Sequence, residues 1–535
     1  MNLAQLAVDA LDRFGEYDST FFEGKWFSNF QLMDQYCKLA DVLVGQGIGV
    51  GDRVVVMMAS CLEVPAAFHA LARIGAVIVP VMPQLVAREL AYIVNNSGAQ
   101  VVITSDDLAP RVLEAVQHIA GFRQVLVVGQ SSLPGCTELI PLLKGALGSG
   151  ELESESRATC TELLPLLEGA PAMQAMVERS EHDLALLVYT SGTTGHPKGV
   201  MITHGNLIHN THSAASRLAW PAGQRSMMVL PMSHVYGILI MNLGAVSGGV
   251  STMLRKYTVE GALQTIQDFQ VERCSLVPTM MVGMINHPER EKYDVSSLQR
   301  VTGGSAPLTE EVRRSFEKLF DCRVYDGYGQ SEATCAVCAY ETDEDFVRGS
   351  AGRALPGFEV CVQDDANRLV ATGQTGELCV RSPSVMAGYW NNAEATRTTL
   401  IDGWLHTGDI GHVDERGYIY ITDRKKDMII KGGENISPRE IEEVLFQLPG
   451  VAEVAVVGIP DETFQEEVAA FIVSKAGTEL SSDDVRQFAR GQLNKFKIPK
   501  VVTFVEELPK NVNGKVLKRE LRERWSAASQ PQVPK

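Results

Sequence analysis

Two hydrophobic rhythms alternate through the first hundred residues. Leu32, Tyr36, Leu39 and Leu43 recur at the spacing of one helical face, and Arg53-Val-Val-Val-Met-Met58 follows as a nearly unbroken apolar run. Such a run predicts a strand covered on both faces. Ala72 to Pro83 and Ala99 to Asp107 continue in the same style, which predicts parallel strands joined by crossover helices, with Asp106-Asp107 as a strand-end turn. The most apolar long window, 64–82, contains His69 and Arg73 and is broken by prolines and a glycine. It therefore reads as a buried helix and then a strand, not as a membrane span.

Between about Leu133 and Ala172 the pattern decays. Cys136-Thr-Glu-Leu-Ile-Pro-Leu-Leu-Lys-Gly-Ala146 is almost repeated as Cys160-Thr-Glu-Leu-Leu-Pro-Leu-Leu-Glu-Gly-Ala170. Two copies are too few for a solenoid, so this reads as a local duplication in a surface excursion, with a partner-binding lid as the alternative. Strand and loop signals resume at Leu184 and run, with helices such as Glu310 to Leu319, to about Asp423. The style then changes. Ser437-Pro-Arg-Glu440 is a capping box with Pro at the first helical position, Ile441, Val444, Leu445 and Leu448 form one stripe, and Pro449-Gly450 stops the helix. Two strands, a helix from about Asp483 to Leu493 and a further strand at Val501 complete a compact unit. The pattern thus predicts an α/β protein in two parts, a large domain over residues 1–423 and a small one over 424–535, with a hinge near Asp423 to Asp427.

Composition narrows the function. At 535 residues, 45% apolar and 21% charged, the chain has the make-up of a soluble globular protein with more than one core. A net charge of -17 offers no positive field for a phosphate backbone, so nucleic acid is not the expected partner. The first eighteen residues lack a basic opening, an apolar block and a small-residue cleavage site, and the ten cysteines are scattered. Both point to reduced thiols in a cytoplasmic protein without integral membrane association. Cys335 and Cys338 have CxxC spacing but no second pair, and are read as ordinary thiols. His204, His209 and His212 are read as polar helix histidines, since no carboxylate or Cys joins them.

The chemistry begins where the strand Leu184-Ala-Leu-Leu-Val-Tyr189 enters Thr190-Ser-Gly-Thr-Thr-Gly-His-Pro-Lys-Gly199. Three glycines let backbone approach a ligand, four hydroxyls offer donors and Lys198 supplies charge, which suits polyphosphate oxygens. It is not a Walker A loop, because GxxxxGK followed by Ser or Thr cannot be laid on it. The string resembles the phosphate loop of the adenylate-forming superfamily, which includes acyl-CoA synthetases and coumarate:CoA ligases. In that family's order follow Leu230-Pro-Met-Ser-His-Val-Tyr-Gly237, Gly303-Gly-Ser-Ala-Pro307, Tyr325-Asp-Gly-Tyr-Gly-Gln-Ser-Glu332, Gly376-Glu-Leu-Cys-Val-Arg381, Gly388-Tyr-Trp390, Trp404-Leu-His-Thr-Gly-Asp409, the stretch from Asp423 to Pro438 and Pro509-Lys-Asn-Val-Asn-Gly-Lys515. The chain is identified by them as a member.

The resemblance implies a large N-terminal domain of several subdomains, with mixed and parallel sheets, and a small mobile C-terminal α/β domain. It implies ATP, Mg²⁺ and CoA as cofactors and an acid activated as its adenylate. Thr190, Ser191, Gly192, Thr193, Thr194 and Lys198 would hold phosphates. Tyr328 would stack on adenine, lined by Gly303, Ser305, Ala306, Pro307 and Gly329. Ser331 stands where the family often has Thr and keeps the hydroxyl. Glu332 looks like the Mg²⁺ ligand, since a hard carboxylate suits a cation that bridges phosphates. Asp409 looks like the ribose ligand and Arg424 like a ribose or phosphate contact. Lys515 is similar to the catalytic lysine, where one like-sited charge pair at 4 Å is worth roughly 4 kcal/mol at an effective dielectric near 20. Lys426 matches the hinge, and Lys431, Gly432 and Gly433 match a loop presented to pantetheine in a second pose.

His234 stands about where amino-acid-activating members carry an Asp, so an amino acid substrate is not expected. His234, Tyr236, Gly237 and the stretch Gly303 to Gly329 are expected to wall the acyl pocket, and their apolar neighbourhood, Ile238, Leu239 and Met241, suits an aliphatic or aryl acid. The expected function is an AMP-forming carboxylic acid:CoA ligase. The alternatives are an acyl-AMP ligase that loads a carrier protein, a luciferase-like oxidase and a non-catalytic nucleotide-binding module.

Overall fold

The apolar window 64–82 forms a helix, Glu63–Arg73, buried from Val64 to Arg73, then a turn at Gly75 with φ 77° and the strand Val77–Pro80. The positive φ at Gly75 is the left-handed conformation that glycine adopts without a Cβ penalty. The computed structural model describes residues 1–129, 159–162, 175–190, 197–218, 220–340, 345–461, 463–475, 477–510 and 515–529. Within them no helix is long and apolar enough to cross a membrane.

Val77–Pro80 belongs to an eight-stranded sheet ordered Gly388–Tyr389, Lys198–Thr203, Leu184–Thr190, Val77–Pro80, Arg53–Met57, Val101–Ser105, Gln124–Val128, Thr159–Glu162. From Leu184–Thr190 onward the strands pair in parallel, and the first two pairings are antiparallel. Val54 and Val56 face the main core while Val55 and Met57 face a second one, with Leu90, Ile93, Val94 and Val112 from covering helices. This two-sided burial explains why the strand reads as an unbroken apolar run. Of the duplicated stretch 136–170, only the strand Thr159–Glu162 lies within the described residues, so neither reading of it is tested.

A seven-stranded sheet carries Arg323–Asp326, Arg300–Gly303, Arg273–Leu276, Arg225–Met228, Val250–Met253, Asp18–Phe22 and Lys25–Ser28 in that order, parallel except for the last pair. The main core draws on both sheets and on the helices Asn29–Gly45, Glu63–Arg73, His204–Leu218 and Val235–Val246, joining Leu39, Leu43, Leu71, Ile78, Leu207 and Leu243. A smaller antiparallel sheet pairs Trp404–Val413 with Ile419–Arg424 and sets Asp409 opposite Arg424.

The last part of the chain forms its own sheet, Glu434–Ile436, Ile429–Lys431, Gln465–Ser474 and Val451–Asp461, with Val501–Phe504 parallel to Gln465–Ser474. Helix Pro438–Leu445 covers one face through Ile441 and Leu445, and Leu521 of helix Lys518–Ser529 packs on the other. The expected capping box is half formed. Ser437 Oγ accepts from the Glu440 N–H at 3.3 Å, but the Glu440 carboxylate turns away to Lys497, at 2.6 Å. Ser437 also donates to Asp423 Oδ2 at 2.7 Å, and that carboxylate accepts the Arg439 N–H at 3.0 Å. Asp423, at the end of the preceding sheet, thus holds the start of this helix.

Candidate active site

A cavity of about 1590 Å³ opens between the C-terminal ends of the large sheets and the last part of the chain. Ligands of open α/β sheets bind at this edge, because successive strands end there in loops whose backbone is free to face a ligand. Gly303 and Gly304 lie at the end of Arg300–Gly303, and a Cβ on Gly304 would sit 2.8 Å from the Tyr236 ring. Glycine is required there by contact. Ser305 follows with φ 66° and lines the cavity.

Across from these glycines, Tyr328 donates to Asp409 Oδ2 at 2.6 Å, and Arg424 Nε reaches Asp409 Oδ1 at 2.8 Å. Asp409 is 2% exposed, so its charge is sustained by these two donors. Glu332 accepts from the Tyr389 hydroxyl at 2.8 Å, and Lys198 Nζ lies 5.0 Å from the Tyr389 ring centre. The hairpin register places Thr190 opposite Lys198. Thr190, Lys198, Tyr328, Gly329, Ser331, Glu332 and Arg424 therefore meet in one cavity with Lys515 and Lys426.

Lys515 comes from the far end of the chain. Burial first, then the nearby charges of Arg424 and Lys426, bring its pKa down to about 8. Burial also lowers Lys426. His234 is pushed down to about 4, by burial and then by the charge of Lys515, which places that lysine within electrostatic reach of it. His234 caps helix Val235–Val246, and its Nδ1 accepts the Tyr236 N–H at 3.2 Å. A neutral imidazole whose Nδ1 accepts must carry its proton on Nε2, which leaves one donor for a ligand. Below His234 the walls turn apolar, with Tyr236, Leu239, Ile240, Leu243 and Met227.

The model of AMP-binding enzymes matches residues 8–390, and that of the AMP-binding enzyme C-terminal domain matches residues 440–515. The chain belongs to the AMP-binding enzyme family. A long-chain-fatty-acid–CoA ligase of Bacillus subtilis strain 168 is 34% identical to it over 536 residues, covering 97% of this chain and 94% of its own length. ATP-bound MatB from Rhodopseudomonas palustris superposes with a TM-score of 0.87 at 29% identity, over 99% of this chain and 100% of its own. Apo MatB from the same source, at the same identity and coverage, gives 0.76. The arrangement of this AMP-binding enzyme is thus nearer the ATP-bound form of that relative.

Not every expected residue meets the cavity of this AMP-binding enzyme. Ser191, Gly192, Thr193 and Thr194 lie outside the described residues. Ala306, Pro307 and Asp409 are not among the lining residues, and Asp409 is 2% exposed with its two carboxylate oxygens bonded to Tyr328 and Arg424. Lys431, Gly432 and Gly433 sit elsewhere. Lys431 is 7% exposed, paired with Glu467, and donates to the Phe496 carbonyl at 3.1 Å. Gly432 and Gly433 have φ 60° and 89°, and a Cβ on Gly433 would meet open space. Their glycine character here rests on backbone conformation and not on crowding.

His204, His209 and the two CxxC cysteines have local surroundings of their own, although His204 Nε2 is buried without a partner among the described residues. His204 Nδ1 accepts the Leu3 N–H at 3.0 Å, and His209 Nδ1 lies 2.7 Å from Ser384 Oγ. Cys335 and Cys338 are free and buried, and burial pushes both thiols up to about 12. A thiol of that kind is a poor nucleophile. Sequence reasoning missed Tyr389, which sits between Glu332 and Lys198. Its Gly-Tyr-Trp string was recognised, but the string carries no hint of which side chain faces the cavity.

Proposed function

We propose that this chain is an ATP-dependent, AMP-forming acid–CoA ligase acting on aliphatic acids of the fatty class. The observation that supports it most is one cavity that joins a carboxylate and basic nucleotide face to an apolar branch, with Lys515 at their junction. The acid's carboxylate attacks the α-phosphorus of ATP, the bond to the β-phosphate oxygen breaks, and pyrophosphate leaves with the electron pair. Both reactants are anionic. The Lys515 ammonium offsets charge that grows as the transition state forms, so it acts on rate as well as on binding. Neutral His234 donates from Nε2 to the acid's carboxylate without adding a counter-charge. Tyr328 and Gly303 to Ser305 flank adenine, Asp409 takes the ribose hydroxyls, and Lys198 with Arg424 takes phosphates.

Glu332 would hold Mg²⁺, supplying charge neutralisation at the phosphates. The Glu332 carboxylate lines the cavity and accepts from the Tyr389 hydroxyl, and a hard oxygen donor of this kind suits such a cation. In the second half-reaction the CoA thiol attacks the acyl carbonyl and AMP departs. We read residues 424–535 as a body that turns about Lys426, withdrawing Lys515 and bringing Lys431 to Gly433 to the thiol's path. The fatty class is taken from the bacterial relative and from the apolar branch, where burial is worth about 25 cal/mol per Å².

The test is acid-dependent pyrophosphate release across fatty, aryl and dicarboxylic acids, followed by acyl transfer. Release with aliphatic acids and transfer to free CoA support the proposal. Transfer to a holo-carrier protein alone would assign the acceptor differently, and no release with any acid would sink the ligase reading.

A further inference from the structure

The strand Arg273–Leu276 runs parallel to Arg300–Gly303, with Leu276 opposite Gly303 and Arg273 opposite Arg300. Leu276 is therefore level with the glycines of the nucleotide face. Arg273 lies three residues back, about 10 Å down the sheet at the ~3.3 Å rise of a strand. That is the inner end of the apolar branch, which Arg273 and Trp220 both line. Arg273 is 5% exposed, and its guanidinium carbon sits 4.3 Å from the Trp220 ring centre. Among the described residues its side chain makes no hydrogen bond or ion pair. Its Nη1 and the Trp220 Nε1 are both buried donors without an acceptor.

Burial, and then the neighbouring Arg300, lower the Arg273 pKa to about 10, which still leaves it charged at neutral pH. A desolvated cation without a counter-ion costs far more than one ring contact returns. The fold gains nothing from such a residue that methionine or leucine would not supply better. A bound group that arrives with negative charge accounts for it.

We propose that Arg273 and Trp220 form a receptor for the far end of the acid, and that the preferred substrates are medium-length aliphatic acids carrying a second carboxylate at that end. This rests on the ligase reading and its aliphatic branch, and departs from the fatty class in the group at the far end of the acid. The guanidinium fork and the indole N–H are donors with no acceptor function, so a carboxylate satisfies both and brings the counter-charge, while an ammonium satisfies neither. A methyl-ended chain of equal length leaves both donors dry and unmatched, and a site built to hydrogen-bond discriminates strongly against the analogue that lacks the partner. The apolar walls between His234 and Arg273 take the methylenes and set the length.

The experiment compares pyrophosphate release with α,ω-dicarboxylic and monocarboxylic acids of matched length, about six to twelve carbons for a branch of that depth, in wild type, Arg273→Met and Arg273→Lys. Wild type is expected to favour the dicarboxylate at least tenfold in kcat/KM. Arg273→Met loses on the order of a hundredfold with the dicarboxylate, mostly in KM, and improves with the monocarboxylate. Arg273→Lys recovers part of the loss. The thermal midpoint of Arg273→Met is expected at or above that of wild type. Preference for the monocarboxylate at every length, or an equal loss for both acids in Arg273→Met, overturns the proposal. If no acid releases pyrophosphate, the ligase reading fails, and calorimetric titration of the full chain with the dicarboxylate still decides this site: binding that Arg273→Met abolishes supports it, and no binding to wild type overturns it.

Discussion

Single side chains carry the electrostatics of this site. Lys515 is held near a pKa of about 8 by burial and by two neighbouring cations. Only the ammonium form can offset the phosphate charge, and kcat/KM reports the free enzyme's ionisations. The account expects kcat/KM for ATP to be level below pH 8 and to fall as pH rises through it. In Lys515→Arg any residual activity is expected to lose that limb, and a limb that stays in place would assign it to another group. Asp409 makes a second case. Replacing it with Asn leaves Arg424 and the Tyr328 hydroxyl without their shared anion, so KM for ATP should rise tenfold or more, measurable in initial-rate assays. These residue identities were legible in the sequence because each sits in a distinctive string. The pKa of Lys515 was not, since it depends on Arg424 and Lys426, about ninety residues away.

Elements were legible where one physical rule dominates. The helical stripe of Leu32, Leu39 and Leu43 became Asn29–Gly45, and the apolar run at Arg53 became Arg53–Met57. The helix foreseen at Glu310 to Leu319 ends one residue later, at Phe320. The capping box at Ser437 was only half right, because a tertiary ion pair with Lys497 outcompetes a local bond for Glu440. Tertiary partners of this kind leave no local trace. Gly304 shows an element-scale constraint that can be tested. It follows the strand Arg300–Gly303 and abuts the phenol end of Tyr236, so Gly304→Val must displace that ring. The variant is expected to fold, with unchanged circular dichroism, but to show KM for the acid raised at least tenfold. An unchanged KM would mean that Tyr236 does not wall the acyl branch.

At the scale of the whole molecule, the order of the strings along the chain made the architecture legible, and α/β sheets with a separate last part are what the structure contains. The inner end of the acyl branch was not legible. Arg273 and Trp220 lie in no recognisable string and meet only because the strands Arg225–Met228 and Arg273–Leu276 pair side by side. The last part of the chain is fastened to the large part by Ser437 and Arg439 on Asp423, by Arg439 on the Ile421 carbonyl at 2.9 Å, and by Phe446, which packs against the core of the seven-stranded sheet. Gly433→Leu, which puts a large side chain at φ 89° on the loop read as the thiol's path, is expected to preserve adenylate formation and to slow thioester formation by tenfold or more. Single-turnover assays of each half-reaction check this.

On the proposed mechanism, one lysine serves the first half-reaction and must be absent from the second. Lys515→Ala, supplied with preformed acyl adenylate and CoA, tests it most directly. Thioester formation is expected within a few-fold of wild type, together with loss of acid- and ATP-dependent pyrophosphate release by a hundredfold or more. Equal loss of both half-reactions in a variant that folds normally would contradict it.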